Sequence, residues 1–510
     1  MWLKLIKPID KLIDGISMYR LLLYYLLGLL AAAIVFSSIG VMNYNGFEIG
    51  ISAGVLVGAC WVINKIFASI FNAPTNPESS ILTGLILALV IPPTFNNFGF
   101  LFMLAASGLA IASKYILTIR YKHIFNPAAI AIVLTALGPR QSASWWVGTA
   151  AMLPLVIIGG ILVMRKIRRE SMVIMFLVTT TAATALFATI GGASALTSLR
   201  EMALTSSAFF LGFVMLTEPY TSPTTLTKQL WYAAIVGVLL TPQTHIGHYY
   251  TSPEVALIIG NLFAYVVSSK TKLFPILREK IEIAANTFEF RFMSQQKLAY
   301  EPGQYMEWTL PHDNTDDRGA RRWFTLASSP TENSIKIGVK FYDKGSSYKD
   351  AMLTMDQNTP IVASQLAGDF VMPKDTAEKL VFIAGGIGVT PFRSMIKYLI
   401  DMNQERSVRM LYSARSHEGF AYKDVFEEAR RKLGINTMYV TSRNSTTKAM
   451  PHTIPGPITG KLITRVIPDY ADCMFYISGT RPMVEDIQEA LEQLHVPLHR
   501  IKVDFFQGYA

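Results

Sequence analysis

Leu380-Val381-Phe382-Ile383-Ala384-Gly385-Gly386-Ile387-Gly388-Val389-Thr390-Pro391 reads as a buried strand that breaks into a glycine turn and opens a helix at Phe392-Arg393-Ser394-Met395-Ile396. A short unbroken apolar run suits a strand covered on both faces. The glycines allow a sharp turn and close approach of a ligand to the backbone, and the helix N-terminus that follows favours phosphate. The spacing is not the six-residue dinucleotide fingerprint of a Rossmann fold. Downstream, Val408 to Tyr412, Asn436 to Val440 and Met474 to Ile477 alternate with helical stretches. That alternation predicts a parallel sheet covered on both faces, with ligand at the carboxyl ends of its strands.

Upstream, Arg322-Trp323-Phe324-Thr325-Leu326-Ala327-Ser328-Ser329-Pro330 sets a forked cation, an aromatic ring and a hydroxyl at the end of an apolar strand. The set fits a flavin: Arg322 on the pyrophosphate, Phe324 against the ring face, Thr325 donating near the ring edge where hydride arrives. The alternative is an ordinary edge strand, with Phe324 in the core and Arg322 a solvated charge. Glu282 to Pro373 reads as short alternating strands, the pattern of a small antiparallel barrel.

Taken in order, these motifs make Ile281 to Ala510 resemble the ferredoxin-NADP reductase superfamily. The resemblance implies an FAD-binding β-barrel over 281–375 and an NAD(P)-binding α/β domain over 376–510. It puts FAD on Arg322, Phe324, Thr325, Ser328 and Lys340, with a second phosphate turn at Gly345-Ser346-Ser347. It puts NADPH or NADH on Gly385, Gly386, Gly388, Thr390, Pro391 and Gly479. Ser478-Gly479-Thr480-Arg481-Pro482-Met483 stands where the family has Cys-Gly-Pro, so Ser478 replaces the cysteine that faces the nicotinamide. Thr325 and Ser478 are then the expected catalytic residues. The ending Asp504-Phe505-Phe506-Gln507-Gly508-Tyr509 is similar to the aromatic terminus that covers the flavin in some members, which points to Phe506 or Tyr509. Ser442 and Arg443 follow a strand where NADP-preferring relatives hold the 2'-phosphate; an exposed arginine there is also ordinary, and the choice between NADPH and NADH stays open.

The first half is of another kind. The 510-residue chain is 51% hydrophobic, and its charges crowd the second half; its mean hydropathy is +0.33. About ten apolar segments recur between Tyr19 and Val267, some near ~20 residues and some too short to span a bilayer unaided. Those ending in Pro92-Pro93 or Glu218-Pro219 read as half-helices, which membranes tolerate where protein satisfies the freed backbone. With the N-terminus inside, Lys65, Lys114, Arg165, Lys166, Arg168, Arg169, Lys228 and Lys270 fall on the cytoplasmic side and only Arg140 and Arg200 outside. The expectation is a multi-pass protein of the cell membrane with N- and C-termini cytoplasmic. Residues 83–93 and 211–219 occupy the third and eighth segments, as two inverted five-helix repeats would place them; coincidence between apolar strings is the alternative.

Ser80 to Pro93, His123 to Ala128, Met215 to Pro223 and Ser252 to Asn261 resemble the D subunit of Rnf complexes and, more distantly, the B subunit of the sodium-pumping NADH:quinone reductase. The resemblance implies a membrane electron-transfer domain over 1–270, followed by a charged linker over 271–280. Larger members attach FMN covalently to a threonine in an outer loop; the corresponding Gly138 to Trp146 has no such threonine. A second flavin, FMN or riboflavin, is therefore expected non-covalently near Asn126, Glu218, Thr221 and Thr225. The alternative is that these hydroxyls and amides only cap helix ends.

Other classes fall away. The net charge of +10 lies at the ends of apolar blocks, with no basic helix carrying interleaved aromatics, so nucleic acid is not the partner. Two cysteines, Cys60 and Cys473, cannot ligate an iron-sulfur cluster within the chain. Eight histidines do not supply paired axial ligands for stacked haems, which disfavours a ferric reductase. The leading expectation is an enzyme passing electrons from cytoplasmic NAD(P)H through FAD and a membrane flavin to an extracytoplasmic flavoprotein or a quinone. A redox-gated transporter is the competing class.

Overall fold

The structure, a computed structural model, describes residues 13, 15–71, 77–119, 122–137, 143–205, 207–241, 244–246, 249–268, 272–316, 319–343, 345–441 and 453–506. It divides into two units, Met1–Lys270 and Thr271–Ala510.

The first unit is helical. Its elements are α1 (Met18–Ser38), α2 (Gly46–Ile70), α3 (Pro77–Val90), α4 (Asn97–Ile116), α5 (Pro127–Leu137), α6 (Leu153–Ile167), α7 (Glu170–Ile190), α8 (Ala195–Thr205), α9 (Ala208–Phe210), α10 (Leu226–Leu239) and α11 (Pro253–Val267). Ser17, Asn45 and Asn96 cap α1, α2 and α4 by accepting from Arg20 N, Phe47 N and Gly99 N, which satisfies donors that a helix start leaves open. α1, α2, α4 and α7 are long and apolar enough to cross a membrane; α3, α5, α10 and α11 are shorter. Outward faces are apolar as well, with Ile66, Leu101, Ile174 and Val178 exposed. An all-round apolar helix belongs in a large core or in lipid.

Both expected half-helices are present. α3 stops at Val90, and the segment Ser144–Val147 covers its end. Ser144 N and Trp145 N donate to Val90 O, Val147 N donates to Leu89 O, and the Trp146 indole donates to Ala88 O and Ile91 O at 2.9 Å each. Trp145 takes a left-handed φ of 50° to do this, rare for a bulky residue. α9 runs into a π-helical turn, Leu211–Met215, closed by Leu216 N donating to Leu211 O at 2.8 Å; Glu218-Pro219 follows it. Helix pairings recur between the halves. α1 with α3, α2 with α3, α2 with α4 and α4 with α5 are matched by α6 with the π turn, α7 with the π turn, α7 with α10 and α10 with α11. The first helices of the two sets, α1 and α6, touch each other, as do the last, α5 and α11.

The second unit begins inside the stretch expected to be a linker. Residues 271–280 carry β1 (Lys272–Leu273) and the start of β2 (Ile276–Ala284). β2 lies at a sheet edge with Arg278, Glu279 and Lys280 exposed; charges that looked like a tether instead guard an edge strand against further pairing. The strands β3 (Thr287–Met293), β4 (Tyr305–Thr309), β5 (Arg321–Thr325), β6 (Ile335–Lys340) and β7 (Val362–Ala367) complete two antiparallel sheets, ordered β6-β3-β2 and β1-β7-β4-β5. They share a core of Phe290, Phe292, Trp308, Ile337 and Tyr348. The short helix α12 (Ser347–Thr354) follows β6.

Then β8 (Leu380–Gly385), β9 (Val408–Ala414), β10 (Asn436–Thr441), β11 (Thr453–Pro455), β12 (Met474–Thr480) and β13 (Ile501–Phe506) form one parallel sheet, ordered β11-β10-β9-β8-β12-β13. Helices α13 (Thr390–Asp401), α14 (Lys423–Leu433), α15 (Gly460–Val466) and α16 (Arg481–Gln493) accompany it. Two apolar clusters flank the sheet, one around Phe382, Phe392 and Tyr412, the other around Ile383, Phe475 and Ile487.

Close packing in the first unit yields a prediction. A β-carbon on Gly84 would lie 2.6 Å from Val57 Cα and 3.1 Å from Leu56 O, whereas one on Gly54 would meet nothing within 4 Å. Gly84→Val is expected to push α3 off α2 and cost about 1–3 kcal/mol, while Gly54→Ala leaves stability unchanged. Thermal midpoints of the purified protein in detergent check both; equal midpoints for the two variants would contradict the packing.

Candidate functional site

At the end of β5, Arg322 is buried and lies across the Tyr348 ring, its guanidinium carbon 5.0 Å from the ring centroid. It donates to Gly319 O and Arg321 O at 2.8 and 2.6 Å and lies 3.8 Å from the Asp316 carboxylate. Phe324 sits on the same side of the strand, 6.1 Å from Tyr348 between ring centroids. Tyr348 belongs to α12, whose N-cap is Ser346, and Ser347 N and Oγ bond Asp316. One tyrosine and one aspartate therefore join the Arg322 strand to the Gly345-Ser346-Ser347 turn. Sequence reading missed both, because nothing local marks them. Thr325, 3% exposed, offers a hydroxyl that makes no hydrogen bond among the described residues.

The glycine turn closes on the end of β12. A β-carbon on Gly388 would come within 2.5 Å of Ser478 O and 2.6 Å of Gly479 Cα, and one on Gly385 within 2.1 Å of Met483 Sδ. Gly386 takes a φ of 54°. The turn thus needs glycine to touch its neighbour strand at all. Ser478 is fully buried, and its Oγ has no hydrogen-bond partner, unusual for a buried hydroxyl. Two hydroxyls, Thr325 and Ser478, are left for something the protein does not itself supply, which fits a flavin and a nicotinamide. Thr390 donates to Ile387 O, and Pro391 occupies the first turn of α13.

Lys340 ends β6; burial pushes its amine down, and the charge of Arg415 adds to this. Ser328 is 1% exposed and already engaged: its Oγ accepts from Lys336 N, and its carbonyl accepts from Tyr300 Oη and Ser394 Oγ. The structure gives Ser328 a place in the seam between the two sheets' halves. Phe506 pairs by its backbone with Thr480 at the sheet edge. Ser442, Arg443 and Tyr509 lie outside the described residues, as do residues 138–142.

In the first unit, Asn126, Glu218 and Thr221 come together. Asn126 Nδ2 donates to Glu218 Oε2 at 2.7 Å, and Thr221 Oγ1 donates to the same oxygen at 3.1 Å. His123 Nε2 is 3.6 Å from the other carboxylate oxygen. Asn126 also caps α5, its Oδ1 accepting from Ala128 N and Ala129 N. Asn261 from α11 accepts from Asn126 N and donates to Thr221 O and Tyr232 Oη. Capping and clustering are thus both true of Asn126. Thr225 starts α10 without a side-chain cap and makes no bond to this cluster. Asn261 and Tyr232, both fully buried, had only helical spacing around them to announce a polar role.

Comparisons with known proteins divide the chain in the same way. Residues 143–274 match the family model for the NQR2, RnfD, RnfE family, and residues 382–489 match that for the oxidoreductase NAD-binding domain. The chain is similar to a flavohemoprotein of Candida albicans, 29% identical over 218 residues, 41% of this chain and 52% of that protein. It is also similar to human oxidoreductase NAD-binding domain-containing protein 1, 26% identical over 233 residues, 41% of this chain and 71% of the relative. The chain spans about half the length of the flavohemoproteins it matches. Among solved structures, Amycolatopsis cytochrome P450 reductase GcoB aligns at 21% identity and TM-score 0.42 over 47% of this chain and 71% of that one. One polypeptide therefore joins an Rnf/NQR-type segment to a NAD-binding oxidoreductase domain.

A buried ion pair ties α13 to the loop after β5. Arg393, 4% exposed, donates from both Nη atoms to Glu332 and also to Ala327 O at 3.0 Å. Burial raises the Glu332 carboxyl, but the hydrogen bonds and charge of Arg393 outweigh it and bring it from 4.5 down to about 2. With the folded value below the unfolded one, this stabilisation is complete above about pH 4.5 and is lost as pH falls toward about 2. Glu332→Gln is expected to flatten that dependence and to cost about 3 kcal/mol at neutral pH, since Arg393 is left buried and uncompensated. Denaturation midpoints of both proteins across the acid range check this; parallel curves would refute it.

Proposed function

We propose that this fusion is a membrane-bound oxidoreductase that takes electrons from cytoplasmic NAD(P)H through FAD and a membrane flavin and delivers them outward. The acceptor in this reading is an extracytoplasmic flavoprotein or a quinone. The observation that carries the reading is the pair of available hydroxyls, Thr325 at the end of β5 and buried Ser478 on β12, the latter against a turn that only glycine fits.

Bound FAD would supply two-electron acceptance from nicotinamide and one-electron release. Residues 281–375 then hold the FAD on the barrel-like pair of antiparallel sheets, and 376–510 hold NADPH or NADH. Arg322 neutralises pyrophosphate with its forked donors, helped by the N-terminus of α12 at Gly345, Ser346 and Ser347, whose dipole favours an anion. Phe324 lies against the ring, Thr325 donates at its edge, and Phe506 or Tyr509 covers the far side. Gly385, Gly386, Gly388, Thr390, Pro391 and Gly479 leave room for the dinucleotide backbone, Lys340 supplies positive charge, and Ser478 orients the nicotinamide. Ser442 and Arg443 take the adenosine end.

In residues 1–270, Asn126, Glu218, Thr221 and Thr225 contact a non-covalent FMN or riboflavin. The recurring helix pairings and the two half-helices support two inverted five-helix repeats. Those repeats make the protein multi-pass and leave both termini in the cytoplasm, in line with the distribution of Lys and Arg.

The flavin inventory of the purified protein tests the reading. Acid extraction is expected to release one FAD and one further flavin, with no fluorescence left on the denatured band. FAD alone would turn the reading toward direct quinone reduction or a redox-gated transporter, for which the broken helices are the supporting feature. Arg322→Ala is expected to lower FAD affinity by about 10²-fold, the loss of a charge-assisted, bidentate contact, while the membrane unit stays folded. Stoichiometric FAD in that variant would remove Arg322 from the site.

A further inference from the structure

The two halves of the second unit have separate apolar cores. Few side chains of the antiparallel half enter the core of the parallel sheet: Ala327 and Phe370, with Ile283, Ala284 and Met372 partly buried beside them. Apolar contact is non-directional and does not fix a register. What does is polar and local. The helix α13 begins directly at the glycine turn, and its Arg393 and Ser394 reach across to the carbonyls of Ala327 and Ser328, at 3.0 and 2.5 Å. Those carbonyls lie two and three residues beyond Thr325. Tyr300 holds Ser328 from the other side, and Thr331 donates to Asp401 at the far end of α13 at 2.6 Å. A β-carbon on Gly338 of β6 would meet Thr390 Cγ2 at 2.8 Å and Ile387 Cδ1 at 3.0 Å, so the turn also abuts the neighbouring strand.

Resting on the reading above, we propose that Arg393 and Ser394 are positioning residues: they latch the nicotinamide turn to the strand end carrying Thr325 and so set the distance at which nicotinamide and flavin rings meet. A buried Arg–Glu pair is weak as a source of stability, since apolar replacement is often neutral, but it is well suited to fixing one geometry among several. Transfer between two bound rings is steep in distance, and a displacement of about 1 Å costs about 10²-fold. The latch therefore acts on transfer and not on the binding of either ligand.

The test uses the full-length protein in detergent with FAD bound. Ser394→Ala removes one bond of the latch and leaves the ion pair; Arg393→Met with Glu332→Leu replaces the pair by apolar side chains of similar volume, and Lys336, the other partner of Glu332, is left to turn its flexible amine to solvent. Bound FAD is measured by extraction, the long-wavelength charge-transfer absorbance by anaerobic titration with NADH and NADPH, and flavin reduction by stopped flow with protiated and 4-deuterated nicotinamide. Both variants are expected to keep stoichiometric FAD and a KM within about threefold, to lose charge-transfer absorbance, and to reduce flavin about 10-fold (Ser394→Ala) to about 10²-fold (the double variant) more slowly, with an undiminished isotope effect. Unchanged absorbance and reduction rate in the double variant would overturn the latch while leaving the flavin reading intact. Wild-type protein that takes up no FAD, or whose FAD neither cofactor reduces, would overturn the reading and the latch together. Loss of FAD from Ser394→Ala would make the contact structural and also overturn it.

Discussion

A polypeptide buried in apolar surroundings has to hydrogen-bond its own backbone wherever a regular element stops. In the helical unit this obligation decides where polar chemistry sits. The end of α3 is closed by Ser144–Val147 and the Trp146 indole, and the start of α5 is closed by Asn126. Asn126 has an amide nitrogen to spare, and it is that nitrogen which holds Glu218. The polar cluster is thus built from residues already required as caps. In the second unit the same rule applies at the carboxyl ends of β8 and β12, where glycine lets two strand ends touch and leaves Ser478 between them.

Charge burial is handled in two ways. Arg322 packs on a tyrosine ring, donates to two carbonyls and lies beside an aspartate, so the guanidinium is held in place before any anion arrives. Arg393 is matched by Glu332, which Lys336 also binds, and the pair sits where halves with separate cores meet. Preorganisation of this kind lowers the entropy to be lost on binding or reaction.

Much of the fold could be read from the chain. The strand–glycine–helix run at 380–396, the alternating strands before it and the short helices that stop near Val90 and Leu216, each followed by proline, carry their periods and breakers in consecutive residues. Contacts between distant positions could not be read. Tyr348 beneath Arg322, Asn261 beside Asn126 and Glu332 against Arg393 are separated by many residues, and each looks locally like a core ring, a helix amide or a surface charge. The charged stretch at 271–280 misled in the opposite way. High charge marks either a tether or a protected edge strand, and only pairing with β3 decides between them.

The π-helical turn at Leu211–Met215 carries one residue more per turn than a regular helix needs. Such a turn has the geometry of a single-residue insertion accommodated inside an older α-helix. Because the widened turn takes up the extra residue, the helix faces before and after it keep their directions; in a regular helix one more residue would swing everything after it by about 100° around the axis. The widening is therefore what brings Glu218 to Asn126 with that extra residue in the chain. The shape of this segment is constrained as closely as its composition: Leu211 and Met215 are fully buried, and a β-carbon on Gly212 would meet Phe176 Cε1 at 2.9 Å.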